Sequence, residues 1–353
     1  MTRQTDFKRR VRARMGKTGE SYAAARAQLL AERPRDGGAL HVTNGDSAAA
    51  GLRPVVGDSL PWRDALHEGP VPDVGDAELR RVRAAFLGAE RALPELTARD
   101  AALAAQRAGR YVLWFEADLY DQLQLAQILA RLAALDVAPE RITLICIGEH
   151  PGIAHFGGLG ELAPEQLAAL RDSAAAAPLG LAALAFARAG WAAFRAPTPE
   201  GLGAIAAARS PELRFLPEAF DRLGREYPST RDGLSLTERR ILALVAGGAT
   251  NAGAAFAGVG AREARPYLGD TWAFAAMERL ARGDRPLLAA AALPVEASTR
   301  LALTETGRRV LAGEADHVER NGLDRWIGGV HLHGRAIEWR WDEATEQIVR
   351  ARH

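Results

Sequence analysis

The stretch RYVLWFEADLYDQLQLAQILARLAAL, residues 110–135, decides the fold. Residues 110–116 predict a strand, and the apolar spacing that follows predicts a helix. Two similar units flank it: ALHVT at 39–43 precedes a helix that starts in NGDS, and RITLICIG at 141–148 has an apolar, β-branched core. Strands alternating with helices of this length predict parallel βαβ units, buried on both faces. The expected fold class is α/β, a short parallel sheet with flanking helices.

The rest of the chain divides by composition. Residues 1–36 predict a basic helical arm, 37–175 the α/β domain, and 176–233 a helical connector. In residues 234–353, three predicted helices precede a set of Trp-containing strands. That order is typical of a winged helix, with the strands as its wing. We therefore expect a winged-helix-like α+β domain at the end of the chain.

Composition excludes several classes of protein. Hydrophobic residues make up 48% and charged residues 25%, with a formal net charge of +1. This is an ordinary globular composition. The net charge is too small to create an electrostatic field that would attract nucleic acid or a membrane to the whole protein. The single cysteine, Cys146, excludes an internal disulfide and a Cys-based zinc cluster. No apolar run is long enough for a membrane span. We expect a cytoplasmic protein with no membrane partner.

Three polar motifs carry the candidate site: HVTNGDS (41–47), WRDALHEGP (62–70) and WFEADLYDQLQL (114–125). Two of them begin in predicted strands and end in helix starts, the position where ligands bind to an α/β sheet. We expect a crevice there that binds a small anionic ligand. Its candidate residues are Asn44, Asp46, Ser47, Trp62, Arg63, Asp64, His67, Glu68, Glu116, Asp118, Asp121, Gln122 and His150.

Asp46 and Ser47 admit two interpretations. They can cap a helix whose free N–H groups form an anion site. Alternatively, GDS after the first strand resembles the serine block of the SGNH-type hydrolases, which implies a nucleophilic serine. That family has an Asp-x-x-His block late in its catalytic domain, but here this spacing occurs only at Asp64–His67, far too early. A serine without its base is inert, so the pattern argues against this chemistry.

WRDALHEGP also admits two interpretations. His67 and Glu68 could act as acid and base, and Arg63 could grip a phosphate or carboxylate. The alternative is a structural loop in which Arg63 and Asp64 hold backbone groups.

WFEADLYDQLQL places Glu116 and Asp118 at the carboxyl end of a strand, with Asp121 three residues after Asp118. Carboxylates there suit a divalent metal or a ribose hydroxyl. Compensation of the helix dipole explains them equally well. The sequence therefore assigns no metal ligand and no cofactor.

Basic residues concentrate in the arm, where ten Lys and Arg face four acidic residues. Its candidate nucleic-acid contacts are Lys8, Arg9, Arg10, Arg12, Arg14 and Lys17. A solvated or partner-docking helix is the alternative. Residues 234–353 hold 16 Arg against 15 Asp and Glu, a poor balance for a stand-alone nucleic-acid binder. His331 and His333 alternate along a predicted strand and share a face, as a metal pair or as wing-surface histidines.

HVTNGDSAAAGL, PWRDALHEGPVP, LWFEADLYDQLQL and FGGLGEL together resemble the bacterial domain-of-unknown-function family numbered 1835, over about residues 40–170. The later segments LPEAF, GLSLTERRILALVAGG, YLGDTWAF and LTETGRRVLAG resemble its companion C-terminal region. The family has no established activity. The resemblance therefore implies that the motifs belong to one domain, and it assigns no catalytic role.

The first functional hypothesis is a regulatory or nucleic-acid-associated protein that binds a small anionic ligand. The second is a hydrolase or phosphoryl-handling enzyme that uses the crevice, with Ser47 or a metal-bound water as nucleophile. The third is an assembly factor that binds another protein. The observation that best distinguishes these hypotheses is whether the polar side chains of the three motifs line one pocket.

Overall fold

Strands and helices alternate along the first half of the chain. The computed structural model describes residues 12, 14–16, 38–88, 90–153, 156–173 and 175–351. The first elements are β1 (Leu40–Thr43), α1 (Asp46–Val56), β2 (Leu60–Pro61), β3 (Gly69–Pro70), α2 (Asp76–Leu87), α3 (Ala92–Ala105), β4 (Tyr111–Glu116), α4 (Leu119–Ala134), β5 (Ile142–Ile147), α5 (Pro164–Arg171) and β6 (Ala176–Pro178). The strands predicted at 39–43, 110–116 and 141–148 are confirmed as β1, β4 and β5.

Five of these strands form the central sheet, in the order β2-β1-β4-β5-β6. Strands β2, β1, β4 and β5 are parallel, and β6 runs antiparallel to β5. Every residue of β4 except its last is buried, as expected for a strand covered on both faces. The protein therefore has an α/β fold with flanking helices and a parallel-rich central sheet. Its antiparallel edge strand β6 is the departure from the expected all-parallel sheet.

Alternate side chains of β4 enter two separate cores. Leu113 and Phe115 pack in one core with Leu123 of α4. Val112 and Trp114 pack in the other with helices α1 and α5. The alternation fixes the strand's register, because a slip of one residue would exchange the two faces.

The second half adds α6 (Leu181–Arg195), α7 (Leu202–Ala207), α8 (Leu216–Gly224), α9 (Leu236–Ala246), α10 (Ala252–Gly260), α11 (Asp270–Ala281), β7 (Leu288–Ala290), β8 (Leu301–Leu303), α12 (Glu305–Leu311), α13 (His317–Asn321), β9 (Leu323–Gly328), β10 (Val330–Gly334), β11 (Trp339–Asp342) and β12 (Gln347–Arg350). Elements α9 to α12, residues 235–311, surround a core of their own that includes Ile241, Met277 and Val310. We call this part the helical unit. It begins with a capping box between Ser235 and Glu238.

The sequence predicted that the Trp-containing strands form a wing on the C-terminal helices, but these strands pack against other parts of the fold. Strand β9 pairs with β10 on one side and with β3 of the first half on the other. Ile327, Val330 and Trp341 join the core that contains Leu113, not the core of the helical unit. The physical reason is tertiary: Gly69–Pro70 offers a strand for pairing, and Gly329 N–H donates to the carbonyl of Phe194 in α6. These contacts depend on residues far from β9 in sequence.

In the part of the chain that the structure describes, no helix is long and apolar enough to cross a membrane. Of the basic residues expected to contact nucleic acid, Lys8, Arg9, Arg10 and Lys17 lie outside the described residues. Arg12 and Arg14 are helical, the first exposed and the second half-buried.

Candidate functional site

The carboxyl ends of β1 and β4 meet at one edge of the sheet. Their parallel register pairs Thr43 with Trp114. Asn44, the next residue after β1, therefore lies beside Glu116, the last residue of β4. The Asn44 Nδ2 amide donates to Glu116 Oε1 at 3.2 Å and to Asp121 Oδ1 at 2.9 Å. One amide thus joins two carboxylates that come from different elements.

The start of helix α4 supplies the other acidic groups. Asp118 is its N-cap, and its Oδ1 accepts from the N–H of Asp121 at 3.0 Å. Asp121 Oδ2 accepts from the N–H of Glu116 at 2.6 Å. One oxygen from each of Glu116, Asp118 and Asp121 lies within 4.8 Å of the others. The sequence placed Asp118 and Asp121 three residues apart at the start of one helix, and the structure brings both beside Glu116.

Burial dominates the electrostatics of this carboxylate cluster. It raises the pKa of Glu116 to about 7, with the neighbouring Asp118 adding to the effect. It also raises the pKa of Asp118 to about 6. The pKa of Asp121 rises well above its ordinary value, through burial first and the other two carboxylates second. Near neutral pH the cluster holds protons or attracts a cation, because three buried negative charges are unfavourable together.

A cavity of about 30 Å³ opens beside the cluster. Glu116, Asp118, Gly148, Gly158 and Arg265 are among the residues that line it. A Cβ at Gly158, where φ is +144°, would lie 2.6 Å from Glu116 Oε2, so glycine is required there. The volume suits one water molecule or one ion.

Arg265 belongs to the helical unit, between α10 and α11. Its Nη1 donates to the carbonyl oxygen of Gly148, just past β5, at 2.6 Å. Its Nε is buried without a hydrogen-bond partner among the described residues. The helical unit therefore forms one wall of the strand-end cavity. No local sequence pattern points to Arg265, since 117 positions separate it from Gly148.

Ser47 has no catalytic partner in the described part of the chain: its Oγ makes no hydrogen bond to a histidine or carboxylate there. It faces Gly160, where a Cβ would collide with its Oγ. The expected side-chain cap is also wrong, because Gly45 is the N-cap of α1 and no side chain caps that helix. Asp46 instead accepts from the exposed Arg63 Nε at 3.0 Å. Both side chains of that pair are solvent-exposed.

WRDALHEGP is mostly a buried structural loop. Trp62 is fully buried, and its Nε1 donates to Gln127 Oε1 at 2.7 Å. Asp64 pairs with Arg83 at 2.8 Å, with both side chains 1% exposed. Arg83 also donates to the carbonyls of Ala65, Glu68 and Pro70. These contacts match the structural interpretation, with Arg83 in the bracing role expected of Arg63.

His67 is not among the residues that line the strand-end cavity. Rings of Tyr120, Tyr267 and Trp272 surround it, with centroids 5.4 to 6.3 Å away. Neither ring nitrogen has a hydrogen-bond partner among the residues that the structure describes. Burial lowers the pKa of His67 to about 4. Glu68 contacts Arg279 and Arg325, each at 3.6 Å. The pair is therefore not an acid and base for the cavity.

Two remaining candidates flank the cluster. Gln122 Nε2 donates to the carbonyl of Glu116 at 2.6 Å and so braces the end of β4. His150 is half-buried near the ring of Phe156. The structure thus brings together Asn44, Glu116, Asp118, Asp121 and Gln122. The Arg63 backbone N–H donates to the Asn44 carbonyl at 3.2 Å, whereas the side chains of Trp62, Arg63 and Asp64 contact Gln127, Asp46 and Arg83.

Comparison with models of known protein families finds no match. Comparison with curated proteins finds none either.

Proposed function

We propose that the protein is a cation-assisted hydrolase or phosphoryl-handling enzyme that acts at the strand-end cavity. One observation carries the proposal: carboxylates with raised pKa values and the Arg265 guanidinium converge on the same small cavity. A cavity with convergent polar groups and perturbed pKa values is the expected setting for catalysis.

The donor set favours a hard divalent cation such as Mg²⁺ or Mn²⁺. Magnesium is commonly held by one or two carboxylates together with substrate phosphates. Glu116 and Asp118 both line the cavity, whereas both Asp121 oxygens accept hydrogen bonds from Asn44 and Glu116. We assign Glu116 and Asp118 as the ligands and Asp121 as the residue that positions them.

Arg265 supplies the complementary charge. A guanidinium matches the geometry of a phosphate. The Nε of Arg265 makes no hydrogen bond within the described residues, and it lies 3.6 Å from Glu218 Oε1 in an ion pair. The cavity of about 30 Å³ admits an ion and little else. A substrate would therefore present a phosphate oxygen at the rim, or Arg265 would move to admit more of it. In this proposal the anionic group of the substrate binds together with a cation, because ionised carboxylates would repel an anion alone.

Calorimetric titration with Mg²⁺ and Mn²⁺ tests the cation. We expect binding by the wild type and its loss in Glu116→Gln and Asp118→Asn. Asp46→Asn is the matched control, since it removes an exposed carboxylate outside the cluster. Cation-dependent hydrolysis of a phosphomonoester panel that includes p-nitrophenyl phosphate tests the activity. We expect a loss of at least about a hundredfold in Asp118→Asn. Binding or turnover unchanged in both cluster variants would contradict the proposal.

A second candidate is a nucleic-acid-associated regulatory protein, and the helical unit favours it. Along the chain, this unit has helix α9, then Asn251, which forms an isolated β-bridge with Arg300 beside β8, then helices α10 and α11 and the hairpin β7–β8. That order is typical of winged helices, and here the hairpin β7–β8 takes the place of the wing. Because Arg265 lies in this unit, a ligand in the cavity would contact it directly.

Mobility-shift assays at low salt test this candidate. The full chain is compared with a variant carrying Lys8→Gln, Arg9→Gln and Arg10→Gln. We expect weaker nucleic-acid binding in the variant and a shallower salt dependence, because phosphate contacts dominate affinity. Absence of binding by the wild type on both DNA and RNA would remove this candidate.

A further inference from the structure

The hairpin β9–β10 carries three metal-ligating side chains on its exposed face. His331 and His333 alternate along β10, and His333 is directly opposite Asp324 on β9. Between and beside them, Val330 and Leu332 point into the core. The alternation therefore separates an apolar buried face from a polar face that displays Asp324, His331 and His333.

The three ligand atoms lie close to a coordinating arrangement. Asp324 Oδ1 is 2.7 Å from His331 Nε2 and 3.8 Å from His333 Nδ1. All three atoms fall within 4.8 Å of one another. Bonds of about 2.0–2.2 Å to tetrahedral zinc place neighbouring ligand atoms about 3.3–3.5 Å apart. Small side-chain rotations would bring the three atoms to that spacing.

Two features hold the ligands in place. The five-residue ladder between β9 and β10 fixes the backbone positions of all three. Trp326, opposite His331, stacks on its imidazole with a centroid distance of 4.3 Å and an interplanar angle of 3°. Stacking limits rotation of the ring, so less rotamer entropy is lost on coordination.

We infer that Asp324, His331 and His333 form a surface site for a borderline divalent transition metal, of which Zn²⁺ is the representative. Two imidazoles and one carboxylate match the preference of zinc, in contrast to the all-oxygen cluster near Glu116. Three protein ligands leave a coordination position for water or a further ligand. Coordination through His331 Nε2 uses the neutral imidazole whose ring proton is on Nδ1, so the hydrogen bond between Nε2 and Asp324 is replaced by bonds from both groups to the metal.

Calorimetric titration of the full chain with ZnCl₂ tests the inference. We expect one zinc equivalent in the wild type, with affinity lowered at least about tenfold in His331→Ala and in His333→Ala. Arg335→Ala is the matched control, because it changes an exposed residue just past the same hairpin. Each variant alters an exposed side chain, and an unchanged thermal midpoint verifies its fold.

Glu116→Gln separates this site from the strand-end cavity. We expect that variant to keep the zinc equivalent even where it loses Mg²⁺ binding. Tetrahedral absorption bands with Co²⁺ in the wild type, absent in His333→Ala, would support the ligand assignment. Failure of the wild type to bind zinc at micromolar concentration, or wild-type zinc affinity in both histidine variants, would overturn the inference.

Discussion

Arg265 of the helical unit donates a hydrogen bond of 2.6 Å to the carbonyl oxygen of Gly148 at the end of β5. The contact has little room to adjust, since a Cβ at Gly148 would lie 2.9 Å from the guanidinium carbon. It places a positive charge beside the buried carboxylates and links two parts of the fold that have separate cores. The shape and charge of the cavity therefore depend on the position of the helical unit.

Replacing Arg265 with alanine tests this link. A half-exposed, charged hydrogen bond contributes about 1–2 kcal/mol, so we expect the free energy of unfolding to fall by about that amount. Hydrogen exchange should also become faster at the end of β5. Arg262→Ala is the control, because Arg262 donates only within its own unit, to Gly258. Equal effects of the two changes in urea unfolding would show that the link adds nothing.

Glu116→Gln tests the electrostatic strain of the cluster. Burial raises the pKa of Glu116 to about 7, so the folded state binds its proton more tightly than the unfolded chain does. Its contribution to stability is therefore full below about pH 4.5 and is lost as pH rises through 7. At pH 8 without divalent cations, we expect the variant to be about 1–3 kcal/mol more stable than the wild type.

Urea unfolding at pH 5 and pH 8 measures that difference. The gain should shrink at pH 5, where Glu116 is already protonated, and should also shrink when Mg²⁺ is added to the wild type at pH 8. A variant that is less stable than the wild type at pH 8 would mean that the hydrogen bonds from Asn44 and Leu159 outweigh the repulsion.

The sequence predicted those features that lie within one local pattern. The apolar run of β4 identified a buried strand, and the acidic residues after it identified the strand-end cluster. The spacing of Asp118 and Asp121 placed both at the start of one helix. Each of these inferences needs only neighbouring residues and the geometry of a strand or helix.

Other features depend on partners from distant parts of the chain. The burial of His67 requires Tyr267 and Trp272, and the placement of β9 requires β3. Trp62 and Asp64 looked like site residues because they are polar or aromatic in a dense motif. Only their partners, Gln127 and Arg83, identify them as structural.

His67 predicts an acid-sensitive component of stability. Burial lowers its pKa from 6.5 to about 4, so the unfolded chain binds the proton more tightly. Its contribution is full above about pH 6.5 and is lost as pH falls toward 4, by about 2–3 kcal/mol at pH 4.5. We expect His67→Phe to lack this loss, because phenylalanine keeps the ring contacts without a titrating nitrogen.

Unfolding free energies of the wild type and His67→Phe, measured from pH 4.5 to pH 7, give the difference directly. His67→Leu repeats the comparison with a side chain that is smaller than phenylalanine and also lacks a titrating nitrogen. Parallel pH profiles for all three proteins would contradict the assignment. Glu116 makes the free energy of unfolding change with pH in the opposite direction. All three proteins retain Glu116, so its effect cancels when their pH profiles are compared.

The buried pair of Asp64 and Arg83 should be among the most sensitive positions in the fold. Asp64→Asn leaves a buried guanidinium without its counter-charge, and we expect a loss of about 3–5 kcal/mol in the free energy of unfolding. Asp46→Asn, which breaks the exposed pair with Arg63, should change it by no more than about 1 kcal/mol. Urea unfolding measures both.

The double variant Asp64→Leu with Arg83→Met distinguishes charge from bracing. If the pair only neutralised charge, apolar replacement of both partners would restore much of the stability. Arg83 also donates to the carbonyls of Ala65, Glu68 and Pro70, and leucine and methionine offer them no donor. We therefore expect the double variant to remain about as unstable as Arg83→Met alone. Recovery to near the wild-type midpoint would show that the loop holds its shape without those three hydrogen bonds.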